Sequence, residues 1–405
     1  MLNIIKMAYR DLGRNRRRSF FSALALGLGL ALLLLMAGVI QWEIRDSTDK
    51  TVRLQSGHLQ VRAQSYNEDK TSLAWSDLIE NPNAVAAQIA SLAPVQVATP
   101  RLYASGIVVS GDASLGVRII GIDPASPANA PFRDGLVGGQ FITADDTSGI
   151  LIGKTLADKM GLTAGGTTTL LVNTSNGTVE QQTFTIRGIY STGTPSYDQS
   201  TVFLPMAKAQ AFSQAGNHAS AIFILLKDRS QTGAVAAALQ SNQYTVLTFD
   251  QMNPLIVMMD TYANSFMIVL YLIVLAVTAT VIVNTLVMSV FERTREIGIL
   301  AAIGMKSSEI MAMFFIESCF LAFGGIILGL AVGVPLVGWV GSTGIPIGDI
   351  GMTGLLFGNR IYTILTLSDS ITLSLLALFV SLLAALYPAS LAARLEPVEA
   401  LHGAQ

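Results

Sequence analysis

The sequence predicts an α-helical membrane protein with four transmembrane helices and a large extracytoplasmic mixed α/β domain between the first and the second. Three observations predict it. The 405 residues are 51% hydrophobic and 13% charged, with a mean hydropathy of +0.53, whereas soluble domains carry about 25% charged residues. Four apolar runs, at 19–42, 261–291, 309–340 and 370–388, are each long enough to cross a bilayer. Between the first two lies a stretch, 43–260, rich in Thr, Ser, Gly, Asp and Gln with short β-branched runs. That length is ordinary for a soluble domain.

The elements follow in chain order. Residues 1–18 form a basic N-terminus whose Lys6, Arg10, Arg14, Arg16, Arg17 and Arg18 keep it in the cytoplasm by the positive-inside rule. The apolar stretch after it exceeds the roughly 7–15 residues of a cleaved signal peptide, so 19–42 is transmembrane helix 1. Residues 43–260 are then the extracytoplasmic domain with its membrane-proximal stalks, and 261–291 is transmembrane helix 2. A cytoplasmic stretch at 292–308 precedes transmembrane helix 3 (309–340), an extracytoplasmic loop (341–369), transmembrane helix 4 (370–388) and a cytoplasmic C-terminus (389–405).

Within the domain, strand-like runs stand at 58–61, 106–109, 117–122, 168–172, 183–189 and 221–226, each bounded by Gly, Asn, Asp or Pro. Helical patterns fall at 83–92, 155–160, 206–215 and 231–240. Asn176-Gly177 predicts a type I′ hairpin turn, since both residues tolerate positive φ.

Several chemistries are excluded. A net charge of −2 with no basic stripe interleaved with aromatics gives no reason to expect nucleic acid. The single Cys319 allows no intrachain disulfide, and the scattered His58, His218 and His402 supply no metal site. No Ser, His and Asp constellation or carboxylate pair assembles from local spacing, so no catalytic role is expected. SGILIGKT at 148–155 approaches a phosphate-binding loop, but Ser148 stands where its first glycine belongs and ILI reads as a buried strand. Lys154 is then a solvated residue opening a helix, and His58 a partly buried, satisfied histidine.

The 292–308 stretch lies in FERTREIGILAAIGMKSSEI (291–310). On a helix from Phe291 onward, Glu292 pairs with Arg295 and Arg293 with Glu296 at i,i+3, while Ile297, Leu300 and Ala301 form an apolar stripe. Gly304 sits at C′, where a left-handed residue ends a helix, and Ser307 caps the next helix with Glu309 in its first turn. Such an amphipathic helix suits lipid headgroups and a protein groove equally. Glu317 lies in the first part of helix 3, near enough to the interface to pair or snorkel.

ERTREIGILAAIGMKSSEI before an apolar helix, and YPASLAARLEPVEAL (387–401) after the last one, resemble the FtsX-like/MacB-type permease family of ABC transporters. RDLGRNRRRS, SGHLQV and ILIGKTLADKMGLTAGGTTTLLV are similar to its LolC/LolE lipoprotein-release branch. The resemblance covers essentially the whole chain and implies a bacterial inner-membrane permease subunit with no cofactor of its own. It implies an ABC ATPase subunit dimer that binds ATP and Mg, and a second permease copy, identical or a paralogue. The short helix becomes a coupling helix docking on that ATPase, with Glu292, Arg293, Arg295, Glu296, Ile297, Leu300 and Gly304 inheriting the role.

ATP-driven motion is then converted into work on a lipoprotein or lipid cargo outside the membrane. MacB-type efflux of peptide or drug, or FtsX-type regulation of a cell-wall hydrolase, are the alternatives. The chain departs from the LolC pattern at 172–182, a short polar hairpin without the proline and apolar tip that chaperone docking would use. Burying an acyl chain is worth about 0.8 kcal/mol per methylene, so a lipid cargo needs an apolar seat near the outer leaflet. The candidates are Ile40 and Trp42 on one side and Leu255, Ile256, Met258, Met259, Tyr262 and Phe266 on the other.

Overall fold

The computed structural model describes residues 2–14, 16–67, 71–346 and 360–395. The expected loop and C-terminal segment therefore fall in part, at 347–359 and 396–405, outside the described residues. The chain divides into two compact units, one formed by Met1–Glu43, Asp260–Ile345 and Ile361–Gln405, the other by Ile44–Met259 and Pro346–Arg360.

The first unit is helical. An N-terminal helix, Leu2–Arg14, precedes the first membrane helix, Arg16–Thr51, and the second, Pro254–Glu292, is followed by a short linking helix, Thr294–Ala302. The third and fourth membrane helices are Ser307–Thr343 and Leu367–Ala393. All four long helices outrun their apolar runs. The 36 residues of the first rise about 54 Å, against a hydrocarbon core of about 30 Å. Its excess, beyond Trp42, is polar and stays helical because side chains such as Asp46 and Lys50 pair at i,i+4, 2.6 Å apart.

Leu26, Leu30, Leu33 and Leu34 of the first membrane helix, Leu275, Ile282 and Leu286 of the second, Leu321 of the third, and Leu373 and Ala377 of the fourth share one core. The first and third helices approach closely because glycines face each other. A Cβ added at Gly329 would stand 2.9 Å from both the Gly27 carbonyl oxygen and the Leu30 Cβ, and one at Gly325 would stand 2.4 Å from Leu26 Cδ2. Small residues at four-residue spacing permit this contact where no hydrophobic force acts between helices in lipid.

The second unit is built on a ten-stranded mixed sheet. Its order runs Tyr244–Thr248, Leu59–Ala63, Ala221–Leu226, Val95–Ser110, Ala113–Ile122, Thr201–Pro205, Gly149–Gly153, Val179–Tyr190 and Leu136–Gly139. Off this path, Thr167–Asn173 pairs with both Val95–Ser110 and Val179–Tyr190. Long antiparallel registers such as Leu102 to Ser110 against Gly121 to Ala113 set the frame. Ile150, Ile152, Leu170, Phe184 and Ile186 fill one side, while Phe132, Leu151, Tyr190 and Phe203 fill another.

The 149–153 strand is buried and pairs with Val179–Tyr190 and Thr201–Pro205, so its backbone groups are engaged in a sheet rather than an anion cradle. Lys154 opens the following helix, exposed and paired with Asp158 at 3.0 Å. The predicted 176–177 hairpin exists with a longer loop. Of its two residues only Gly177 takes positive φ (+76°), and Thr174 N–H donates to the Thr178 carbonyl at 2.8 Å to close the turn.

Where the first membrane helix enters this unit it widens into a π-helical turn, Val52–Ser56, closed by Gly57 N–H donating to the Val52 carbonyl at 2.9 Å. The Leu54 carbonyl accepts from Arg101 Nη1 at 3.1 Å and from the Tyr197 hydroxyl at 2.9 Å. Arg101 is fully buried, its guanidinium 3.6 Å above the Phe223 ring, a cation–π contact. His58 follows as a half-buried residue whose Nδ1 accepts from Leu226 N–H at 3.0 Å.

Candidate functional site

The second membrane helix runs through Phe291 and Glu292, breaks at Arg293, and restarts as Thr294–Ala302. The linking helix thus begins three residues later than the pattern predicts. It ends in a Schellman motif: Met305 N–H donates to the Leu300 carbonyl at 3.1 Å and Gly304 N–H to the Ala301 carbonyl at 3.0 Å, with Gly304 at φ +103°. The next helix is capped one residue earlier than expected. Lys306, not Ser307, is the N-cap, and the Glu309 carboxylate accepts its N–H at 3.0 Å.

Among the described residues one ion pair lies within this turn and three tie it to the rest of the helical unit. Arg293 Nε donates to Glu296 at 3.2 Å, as the i,i+3 spacing predicts, and Arg293 Nη1 lies 3.7 Å from Glu317 of the third membrane helix. Arg14 reaches Glu296 at 2.7 Å and Arg18 reaches Glu292 at 2.9 Å. The expected Glu292–Arg295 pair does not form: Glu292 is turned to Arg18, and Arg295 is exposed and in no ion pair among the described residues. Chiefly through Arg14, and then through Arg293, the Glu296 carboxyl is held below its ordinary pKa against the opposing effect of its partial burial.

The apolar residues divide between two faces. Ile297, 1% exposed, packs inward with Val290, Ile310, Phe314, Ala389 and Ala392, and Ala301 packs against the same cluster. Leu300 is half-buried, so the predicted stripe faces the bundle. The outward face carries Arg295, Ile299, Ala302 and Ile303, the last 79% exposed. Sequence reasoning missed both this outward pair of isoleucines and the long-range ties. A signal existed for the ties: Arg14 and Arg18, like Glu292 and Glu296, stand four residues apart, one helical turn each.

The residues proposed for an apolar seat are placed unevenly. Leu255, Met258, Met259, Tyr262 and Phe266 are exposed along one side of the second membrane helix. Ile256 is not part of that stripe, being buried against Val52 and Phe249. Ile40 is half-buried beside the helical core, and the half-buried Trp42 ring lies 5.3 Å from that of Tyr362.

The MacB-like periplasmic core domain family matches residues 19–242, over half of the chain, and the FtsX-like permease C-terminal family matches 268–397. The chain belongs to the FtsX-like, MacB-type permease family. As an FtsX-like permease it is a membrane subunit of the ABC-transporter class, located in the inner membrane, with its α/β unit outside the cytoplasm. The lipoprotein-releasing system transmembrane protein LolC of Neisseria meningitidis serogroup B is 23% identical, over 97% of this chain and 97% of its own. The macrolide export ATP-binding/permease protein MacB of Chlorobaculum tepidum is 36% identical, over 30% of this chain and 16% of its own. Among solved structures, the periplasmic region of MacB from Actinobacillus actinomycetemcomitans matches 52% of this chain and 97% of its own, at 16% identity and a TM-score of 0.36.

Proposed function

We propose that this permease works as one of two copies, identical or paralogous, on a separate ATPase dimer that binds ATP and Mg. The linking helix docks on that ATPase, and the subunit converts its motion into extraction of lipoprotein or lipid from the outer leaflet. Both termini then lie in the cytoplasm, in keeping with the arginines at 14 to 18. The observation that carries the docking assignment is the linking helix itself. It is tied inward by Ile297, Arg293 and Glu296, and leaves Arg295, Ile299 and Ile303 facing outward, exposed among the described residues. Alignment with LolC along nearly the whole of both chains favours a lipoprotein cargo. Efflux of the MacB kind is the second reading, favoured by the match of the periplasmic core domain family to 19–242.

Ile303→Asp tests the docking with little effect on the fold, because that side chain is almost wholly exposed. The variant is expected to insert normally but to lose the ATPase on co-purification. Undiminished retention in Ile303→Asp and in Ile299→Asp would remove the assignment. Mass spectrometry of molecules retained by the assembled complex separates lipoprotein from peptide or drug cargo.

A further inference from the structure

A basic cavity of about 550 Å³, lined by Gly13, Arg14, Arg16, Arg17, Arg18 and Glu292, opens where the N-terminal helix meets the first membrane helix. Its volume falls within the roughly 300–1,000 Å³ of ordinary small-molecule sites. Four guanidinium groups face one carboxylate there. Arg14 and Arg18 are neutralised in part by Glu296 and Glu292. Arg16 gives its Nε to the Gly13 carbonyl at 3.0 Å, and neither Arg16 nor Arg17 is in an ion pair among the described residues. A cavity so lined is short of negative charge, and the planar fork of arginine matches phosphate oxygens two at a time.

The surroundings say what carries the phosphate. Directly after Arg18 and Ser19 the chain turns apolar, and Phe20 and Phe21 are both exposed, their rings 5.8 Å apart edge to face. Along a helix they stand about 4.5–6 Å beyond Arg17, comparable to the depth of about 5–10 Å at which interfacial helices bury their apolar face. The N-terminal helix has the same character, with Ala8 buried against the bundle and Ile5 and Met7 exposed beside Lys6 and Arg10. A soluble phosphate ester has no use for exposed phenyl rings one turn from its anion. A glycerophospholipid has phosphate and acyl chains at that separation.

We propose that this cavity binds the phosphate of an anionic phospholipid in the leaflet against which the N-terminal helix lies, held by Arg16 and Arg17 with its acyl chains against Phe20 and Phe21. Bound there, the lipid lies beside the Arg18–Glu292 tie, and so steadies the start of the first membrane helix against the end of the second.

The full-length protein, reconstituted in nanodiscs of phosphatidylglycerol and phosphatidylcholine in equal amounts and released into mild detergent, is read by native mass spectrometry for retained lipid. Wild type is expected to keep phosphatidylglycerol over phosphatidylcholine. Arg16→Gln with Arg17→Gln should lower that retention about tenfold or more. Lys6→Gln with Arg10→Gln, which removes the same charge away from the cavity, should keep it. Equal loss in the two double variants would mean general attraction to anionic membranes, and no loss in the first would mean no site; either overturns the proposal. Displacement of the lipid by millimolar inorganic phosphate would also overturn it, by showing a site for the free anion.

Discussion

Arg293 and Glu317 lie 3.7 Å apart, each 6% exposed, and join the break after the second membrane helix to the interior of the third. The distance is longer than a hydrogen bond, so the contact is Coulombic. Arg293 is therefore oriented at both ends of its guanidinium, by Glu296 one turn on and by Glu317 across the bundle.

Removing Glu317 takes one of two carboxylates from the buried Arg293 guanidinium and leaves it Glu296. Glu317→Ala is therefore expected to destabilise by less than the roughly 3–5 kcal/mol of a buried charge left wholly unpaired, and Arg293→Met with Glu317→Leu by less than that single change. Thermal unfolding in detergent measures both. Equal melting of wild type and Glu317→Ala would show that the pair adds nothing.

The glycine contact between the first and third membrane helices makes a sharper steric prediction. Gly329→Leu must push Gly27 and Leu30 away, because even a Cβ stands 2.9 Å from them, and it should lower the melting temperature and yield. Gly338→Ala, with nothing within 4 Å, should be neutral or raise stability by up to about 1 kcal/mol through helix propensity. Indistinguishable melting of the two variants would contradict the packing described.

His58 predicts a pH dependence. Burial first, and then the charge of Arg229, lower its pKa below 6.5, and its Nδ1 must be unprotonated to accept the Leu226 N–H. The unfolded chain thus binds the proton more readily than the folded one, and stability rises with pH between the two values. The contribution is complete above about 6.5 and is lost as the pH falls through the folded pKa. His58→Asn keeps an acceptor that does not titrate, so its melting temperature should fall less than that of wild type between neutral and mildly acidic pH. Parallel curves would refute the assignment.

Lys154→Ala should leave ATP hydrolysis by the assembled complex unchanged. Its partner is Asp158 on the same exposed helix turn, and the glycines before it are in a strand. An exposed i,i+4 pair is worth about 0.5 kcal/mol or less, so the fold should not register the change either. Loss of hydrolysis with assembly intact would restore a nucleotide role to 148–155.

The four membrane helices were legible because long apolar runs have few other physical solutions, and several of the domain's strands because their β-branched runs end at Gly, Asn, Asp or Pro; Leu136–Gly139, Thr201–Pro205 and Tyr244–Thr248 were not read. The linking helix was legible as an element, down to the glycine at its end, since left-handed backbone selects Gly304 locally. Its facing was not. Ile297 with Ala301, and Ile299 with Ile303, make two apolar strips of similar strength, and only the bundle decides which is buried. Glu292 shows the same limit. A partner three residues away and one 274 residues away are equally compatible with its charge, and packing brings Arg18 to it. Glu317 was readable as a group that pairs, but its partner belongs to another helix.

The grip on Leu54 has a mechanical corollary. A carbonyl held from two directions, by a strand residue and by a helix residue of the same unit, marks one azimuth of the helical segment that bears it. That segment cannot spin about its long axis without dragging Arg101 and Tyr197, and hence the inner strand and the short helix that carry them. Rotation of the helical turn that bears Leu54 therefore arrives as torque at the Arg101 and Tyr197 contacts.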